Sequence, residues 1–438
     1  MRTNTAIRPD HFTHEGAPAR RIDDEAQLRR SLMACLLWES EFYEDGQEIA
    51  GRIAGTAARV DPVRVAAMAR EARHVMHLRH APLLLLSVLA ERSSGAVVAD
   101  AIAGVLIRAD EPGELLALHA ARYDMPIKAC MSHAMRKGIA RAMARFDAYQ
   151  LAKYDRDVAV RLRDVIRLVH PRPRDAAHAA LYKGAVDGNL APPDTWEVAL
   201  SGGADKRATF ERLLAEGRLG YLALLRNLRN MAEAGVDERL IRDAIIARKG
   251  AGRVLPFRYV AAARAAPRFE PYLDEALSES VADMPALAGR TAVLVDVSGS
   301  MEQPLSIRSD MTRMDAAAAL ASVLHGSLRV FTFSNDVVEV PPRRGMAGID
   351  AVKRSQPHHM TYLGQAVAKL NGEVPHDRLI VITDEQAAGI VPAPRAARAY
   401  VINVASARNG VGYGPWTHVD GWSEGVLRYI HEVERAGG

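Results

Sequence analysis

From the N-terminus to about residue 285 the apolar residues recur at helical spacing. LRRSLMACLLWESEF, APLLLLSVLAER, GAVVADAIAGVLIRA, GELLALHAARY and GYLALLRNLRNMAEA place them three and four apart, and strand-like runs are few. This spacing predicts an all-α half. Its helices are short and separated by small turns such as SSG (Ser93–Gly95) and DEPG (Asp110–Gly113), as in antiparallel helix pairs stacked side by side, although no fixed repeat period shows. From about Arg290 the pattern changes. TAVLVDV, LRVFTFS, RLIVITD and RAYVINV are short β-rich runs alternating with helical segments such as MDAAAALASVLHG and TYLGQAVAKLN. Strand and helix in alternation predict a parallel sheet wrapped by helices, a doubly wound α/β domain. The change falls in VADMPALAGR and divides the chain into an α domain, 1–285, and an α/β domain, 286–438.

A chain of 438 residues exceeds one ordinary core, which agrees with two domains. Its 49% hydrophobic and 25% charged residues are the proportions of a folded soluble protein, not of a disordered or membrane one. The two cysteines, Cys35 and Cys130, supply neither a disulfide framework nor a cysteine metal cluster, and fit a reducing compartment. The opening stretch MRTNTAIRPDHFTHEG lacks the apolar core of a signal peptide, so a cytoplasmic location is expected. APLLLLSVLA (Ala81–Ala90) has about half of the ~20 residues of a membrane span. It reads as a buried helix, and no membrane partner is expected.

The net charge of +4 matters less than its distribution. The α/β part is close to neutral. Lys128–Arg174 alone holds 12 basic residues against 4 acidic ones. Lys137, Arg141 and Arg145 are four apart and so share one helical face, with Phe146, Tyr149 and Tyr154 near them in sequence. Such a face suits a phosphate backbone and unstacked bases. It suits equally a solvated surface in a chain that prefers Arg to Lys throughout, and charge alone leaves both readings open.

The run TAVLVDVSGSM (Thr291–Met301) ends a core strand on oxygen-bearing side chains. In an open α/β sheet, ligands collect beyond the carboxyl ends of the strands. Asp296, Ser298 and Ser300 lie there in D-x-S-x-S order, and alternate residues of an extended turn project to one side. Asp384 follows another strand in VITDE, and Thr361 in HMTYLG stands at the start of a helix. One carboxylate with hydroxyls and a second carboxylate makes an oxygen site for Mg2+ or another divalent cation. In the alternative reading the serines cap the following helix and Asp296 accepts backbone hydrogen bonds. A hydrolytic reading built on Asp384, Glu385, His358 and His359 lacks a nucleophile and base paired by any motif, so no enzyme is expected.

The metal pattern resembles the metal-ion-dependent adhesion site of von Willebrand factor A domains, DxSxS followed by a Thr and then an Asp, over about 290–438. The Thr loop here is HHMT, without the small Gly that often precedes this Thr. AMRKGIARAMARF, LAKYDRDVAVRLRDVIRLVHPRP, LGYLALLRNLRNM and VLPFRYVAAARA resemble, in order, landmarks of the TROVE module of Ro autoantigen proteins, and the closing INVASARNGVGYGPWTHVDGWSEGVLRYI resembles bacterial and phage members. The resemblance implies a monomeric ring of HEAT-like helical repeats closed by an A domain. It implies partners too: small Y-like RNA on a basic outer surface, and misfolded RNA with a single-stranded 3′ end in the central hole. It carries RNA-surface roles to Arg136, Lys137 and Arg141 and to His170, which beside Pro171 can equally end a helix; Arg226 and Arg229 can equally belong to a packing motif. The expected function is a non-catalytic RNA-binding scaffold in RNA quality control. The alternative is a metal-dependent protein-interaction module, with an exoribonuclease or another protein as partner, on a helical scaffold.

Overall fold

The structure, a computed structural model, describes residues 11–12, 18–19, 24–33, 46–254, 256–282, 286–304, 311–384, 387, 390–404, 415–420, 426, 430–431 and 433–434. Two short strands, β1 (His11–Phe12) and β2 (Pro18–Ala19), pair antiparallel. Among the described residues, eighteen α-helices then follow before the next strand. The first twelve are α1 (Asp24–Met33), α2 (Gly46–Ala57), α3 (Pro62–His74), α4 (His80–Arg92), α5 (Gly95–Val105), α6 (Glu111–Tyr123), α7 (Ile127–Cys130), α8 (His133–Met143), α9 (Ala148–Tyr154), α10 (Leu162–Val169), α11 (Ala176–Asp187) and α12 (Trp196–Ser201). The next six are α13 (Lys206–Ala215), α14 (Tyr221–Arg226), α15 (Leu228–Glu233), α16 (Glu238–Ala247), α17 (Pro256–Ala265) and α18 (Glu270–Val281). The sheet strands are β3 (Leu287–Asp296), β4 (Gly326–Phe333), β5 (Val337–Val340), β6 (Arg378–Thr383), β7 (Arg398–Asn403) and β8 (Thr417–Asp420), interleaved with α19 (Arg313–Ser322), α20 (Gly345–Lys353) and α21 (Leu363–Glu373). An α part followed by an α/β part is the fold class that the residue pattern predicts.

The described residues form two compact units, one holding α1–α12 and the other α13–α21 with the six-stranded sheet, and they part near residue 203. In the first unit α4 is buried from Ala81 to Ala90 and packs on α3 and α6, as its apolar run requires. Asp61 caps α3 by accepting from the backbone N–H groups of Val63 and Arg64, Ser132 caps α8, and Asp147 with Gln150 forms a capping box on α9. The close pair α5 and α8 depends on Gly138: a Cβ there would lie 2.8 Å from the Ala99 carbonyl oxygen and from Ile102. A buried ion pair joins Arg73 to Glu111, whose other oxygen accepts from the N–H groups of Ile107 (2.8 Å) and Arg108 (3.0 Å). Paired and hydrogen-bonded in this way, the two charges tolerate burial. Among the described residues no helix is long and apolar enough to cross a membrane.

The sheet order is β5-β4-β3-β6-β7-β8, parallel except for the edge strand β5, which returns antiparallel from β4 after a short turn. β6, nearly all of β7 and β3 from Thr291 onward are buried on both faces, so they read as unbroken apolar runs such as LIVI. One face packs against α21 through Ala292, Leu294, Leu379, Val381, Leu363, Val367 and Leu370. The helix α19 packs on β3 and β6 and is buried along its whole length, Arg313 to Ser322. Its run of alanines permits that, because α17 covers α19 and α18 covers α20. Arg264 lies 3.5 Å from both Asp315 and Asp350, and the Met346 N–H donates to Asp274 Oδ1 (2.8 Å). Next to that bond Gly345 takes φ 63°, and a Cβ would meet Asp274 Oδ1 at 2.2 Å. Thus the change of pattern near residue 285 marks where strands begin, and the packing draws α13–α18 into the unit of the sheet.

Candidate metal centre and nucleic-acid interface

From β3 the chain runs outward to β4 and β5, then returns to the other side of β3 as β6 and continues to β7 and β8. The strand order therefore reverses between β3 and β6, and their carboxyl ends form the switch-point crevice where open α/β sheets hold ligands. Asp296 is the last residue of β3 and Asp384 follows the last residue of β6; both are 0% exposed. Asp296 Oδ1 accepts from the Ser298 N–H (2.9 Å), and Oδ2 accepts from the Thr383 hydroxyl (2.6 Å). Ser298 Oγ and Ser300 Oγ are 3.2 Å apart. The Gly299 N–H donates to the His359 carbonyl (2.9 Å), which ties the loop of Thr361 to the serine loop, and Thr361 is itself buried. Asp296 thus ends β3, Ser298 and Ser300 follow it, Asp384 follows β6, and Thr361 lies just before α21. Ser298 opens a short 3-10 turn without a side-chain cap, whereas Asp296 does accept a backbone N–H, so half of the capping alternative is realised.

Burial, reinforced by the charge of Asp384, pushes the Asp296 carboxyl up to about 7. Its hydrogen bonds from Ser298 and Thr383 oppose that shift without cancelling it. Two buried carboxylates and hydroxyl donors form an all-oxygen set, which fits a hard divalent cation and lacks the nitrogen or sulfur ligands that favour zinc. Arg313, 3% exposed at the first turn of α19, donates from Nη1 to Asp384 Oδ2 (2.9 Å). This buried guanidinium supplies part of the positive charge that the acids need. The sequence reading missed both Arg313 and Thr383; the available signals were an arginine heading an alanine-rich helix and the Thr before Asp in VITD. The His358 ring lies between two acceptors, Nδ1 2.8 Å from Glu302 Oε1 and Nε2 2.8 Å from the Lys353 carbonyl, and so bridges two loops. Glu385 lies outside the described residues.

On the helical unit, Arg136 and Lys137 are exposed on α8, and among the described residues neither has an ion-pair partner. Arg141 pairs with Asp100 of α5, whose carboxyl that hydrogen bond holds below the usual range. Arg145 reaches the carbonyls of Ala103 and, at 3.0 Å, Leu106, where a cation complements the C-terminal end of α5. The face of Lys137, Arg141 and Arg145 is therefore graded, from free charge to helix cap. His170 is exposed at the C-cap of α10 with φ 47°, and its backbone N–H donates to the Ile166 carbonyl (3.0 Å). Of the aromatics near this face, Phe146 is core, Tyr149 is exposed, and Tyr154 lies under Arg108 at 4.6 Å. Phe146 follows the end of α8 on its apolar side, so it cannot stack on a base.

Residues 187–275 match the TROVE domain family. The matched segment is 89 of the chain's 438 residues. The chain's fold is similar to that in the crystal structure of the Deinococcus radiodurans Ro (RSR) protein, at a TM-score of 0.65 and 20% sequence identity, with 95% of this chain and 100% of that chain covered. The matched segment includes the ALLRNLRNM and VLPFRYVAAARA stretches, while AMRKGIAR and RLVHPRP precede it. Within ALLRNLRNM, Asn227 is buried, donates to the Ala223 carbonyl (2.9 Å) and accepts from Asn230 (3.1 Å). Arg229 Nε donates to the Ala265 carbonyl at the end of α17 (3.2 Å), and Arg226 is exposed. The packing role of this motif is the one its bonds display.

Proposed function

We infer that this chain is a non-catalytic RNA-binding scaffold of the Ro type, acting in the cytoplasm in RNA quality control. The observation that carries the reading is the exposed pair Arg136 and Lys137, with His170, in the most basic stretch of a chain whose residues 187–275 match the TROVE domain family. Charges of this kind neutralise phosphates, and shape with single-strand access does the recognising. The partners are small structured Y-like RNA and misfolded RNA with a free 3′ end. RNA copurified from the native cell and sequenced after crosslinking tests this directly: structured RNAs linked within 128–174 support it, and recovery of no RNA above an untagged control removes it.

A second activity rests on the buried acids at the switch point. A divalent cation such as Mg2+ would be held by Asp296, Ser298, Ser300, Thr361 and Asp384, as in a von Willebrand A domain, and when bound it supplies an open coordination position for a partner's carboxylate. The chain's own residues set up that position: Thr383 and the Ser298 N–H orient Asp296, and Arg313 orients Asp384. A protein such as an exoribonuclease docked there would join the RNA-binding function to degradation. Loss of partner capture with RNA binding intact is the expected result for Asp296→Ala.

A further inference from the structure

The two buried acids of the metal edge are held by different kinds of donor. Asp296 accepts from neutral groups, the Ser298 N–H (2.9 Å) and the Thr383 hydroxyl (2.6 Å). Asp384 Oδ2 accepts from Arg313 Nη1 (2.9 Å), which carries a full positive charge. Neutral donors are enough to orient a carboxylate, as those on Asp296 do. The guanidinium therefore adds something that orientation alone does not require. It is also placed where a charge is felt most, since the Arg313 side chain is 3% exposed and that of Asp384 0%. With so little water around them, charges interact far more strongly than at the surface.

The base of this side chain is fixed. Arg313 is the first residue of α19, and its backbone N–H donates to the Gln303 carbonyl (3.0 Å), just past the serine loop. Thr312 and Asp315 close a capping box around that first turn. Asp315 accepts from Lys353 Nζ of α20 (2.7 Å) and lies 3.5 Å from Arg264 of α17, and α19 is buried along its whole length. The guanidinium is thus tethered beside the site, whatever else occupies it.

Its effect has opposite signs in the two states of the centre. Without a divalent ion, Arg313 offsets part of the repulsion between two fully buried acids. With one, the same guanidinium is a like charge beside the ion and draws on a carboxylate that the ion also draws on. Ion affinity follows the charge of the ligand set, and here that charge is partly cancelled from within. We propose that Arg313 is a tethered counter-charge that keeps the metal centre stable when empty and makes its hold on a divalent cation weak, so that occupancy follows the free ion. The proposal rests on the metal reading above. The docking position for a partner's carboxylate then opens and closes with cation concentration and is no permanent fixture of the fold.

The test is titration of the full chain at pH 8 with Mg2+ by calorimetry and with Mn2+ by electron paramagnetic resonance, which counts bound ion directly. The wild type should bind weakly, and Arg313→Met should bind about tenfold more tightly or better, because a like charge has left a dry site. An arginine that only orients Asp384 predicts the reverse, since losing such a support costs about 10–100-fold in metal affinity. Arg313→Lys keeps the charge and should stay as weak as the wild type; tighter binding in it would assign the effect to the lost bond and defeat the proposal. Arg313→Met that binds the ion equally or more weakly overturns the proposal and leaves the metal reading standing. Binding of neither ion by the wild type or by Arg313→Met overturns both. If Arg313→Met does not fold, Arg313→Gln, which keeps a neutral N–H donor, decides by the same titrations: tighter binding supports the proposal, and unchanged or weaker binding defeats it.

Discussion

Asp296→Asn should stabilise the protein when divalent cations are removed at mildly alkaline pH. The ordinary carboxyl value of 3.8 rises to about 7 in the fold because the group is fully buried beside Asp384. The folded state therefore binds the proton more tightly than the unfolded state. Below about pH 4 both forms are protonated and no penalty exists; the penalty grows between pH 4 and 7 and is complete above 7. Roughly three units at ~1.4 kcal/mol each give a cost of about 4 kcal/mol for holding the charge. The amide keeps the shape of the carboxylate but weakens the bonds from the Ser298 N–H and Thr383, a loss of about 1–2 kcal/mol. A net gain of about 2 kcal/mol remains for the variant. Urea unfolding in EDTA between pH 5 and 8, followed by tryptophan fluorescence, measures it, since Trp416 is buried in the sheet core. Wild-type stability should fall as pH rises through this window, the variant should stay nearly flat, and the two should cross. With millimolar Mg2+ at pH 8 the order should invert, because the cation stabilises only the wild type. A variant less stable than wild type in EDTA at pH 8 would refute the reasoning.

Arg313→Met removes the guanidinium that donates to the buried Asp384 carboxylate, so it should lose about 3–5 kcal/mol in EDTA. Added Mg2+ should recover much of that loss, and a melt insensitive to Mg2+ would separate Asp384 from the cation. Metal affinity itself should weaken as pH falls below about 7, where Asp296 takes up its proton, and titration calorimetry at pH 6 and 8 should register the proton released on binding. Gly138→Ala should destabilise by about 1–3 kcal/mol in thermal melts, despite the better helix propensity of alanine, because the new Cβ meets the Ala99 carbonyl oxygen. A neutral or raised melting temperature would mean that α5 and α8 can separate freely.

The alternation of apolar runs with helices was enough to place the sheet, and D-x-S-x-S after TAVLVDV was enough to place Asp296 at its edge, because both depend on local spacing. APLLLLSVLA was legible as a buried helix for the same reason. What local spacing could not convey was contact between distant residues. Arg313 meets Asp384 across 71 positions, and Thr383 meets Asp296 across 87, so neither partner is visible in a window of sequence. The packing of α17 and α18 on α19 and α20 is likewise non-local; its only local trace is a helix of alanines too uniform to have a solvent face. On the basic stretch, twelve positive charges gave the sign of the surface but not the division of labour. Arg145 differs from Lys137 only because the carbonyls ending α5 lie within its reach.

The central claim, that the exposed charges of α8 hold RNA, is tested most directly by the salt dependence of binding. Dissociation constants for a structured RNA with a free 3′ tail, measured from low to physiological salt, should rise steeply for the wild type. In Arg136→Glu with Lys137→Glu the slope of log affinity against log salt should become shallower by about two, with weaker binding at every salt concentration. An identical slope and affinity in the double variant would contradict the account.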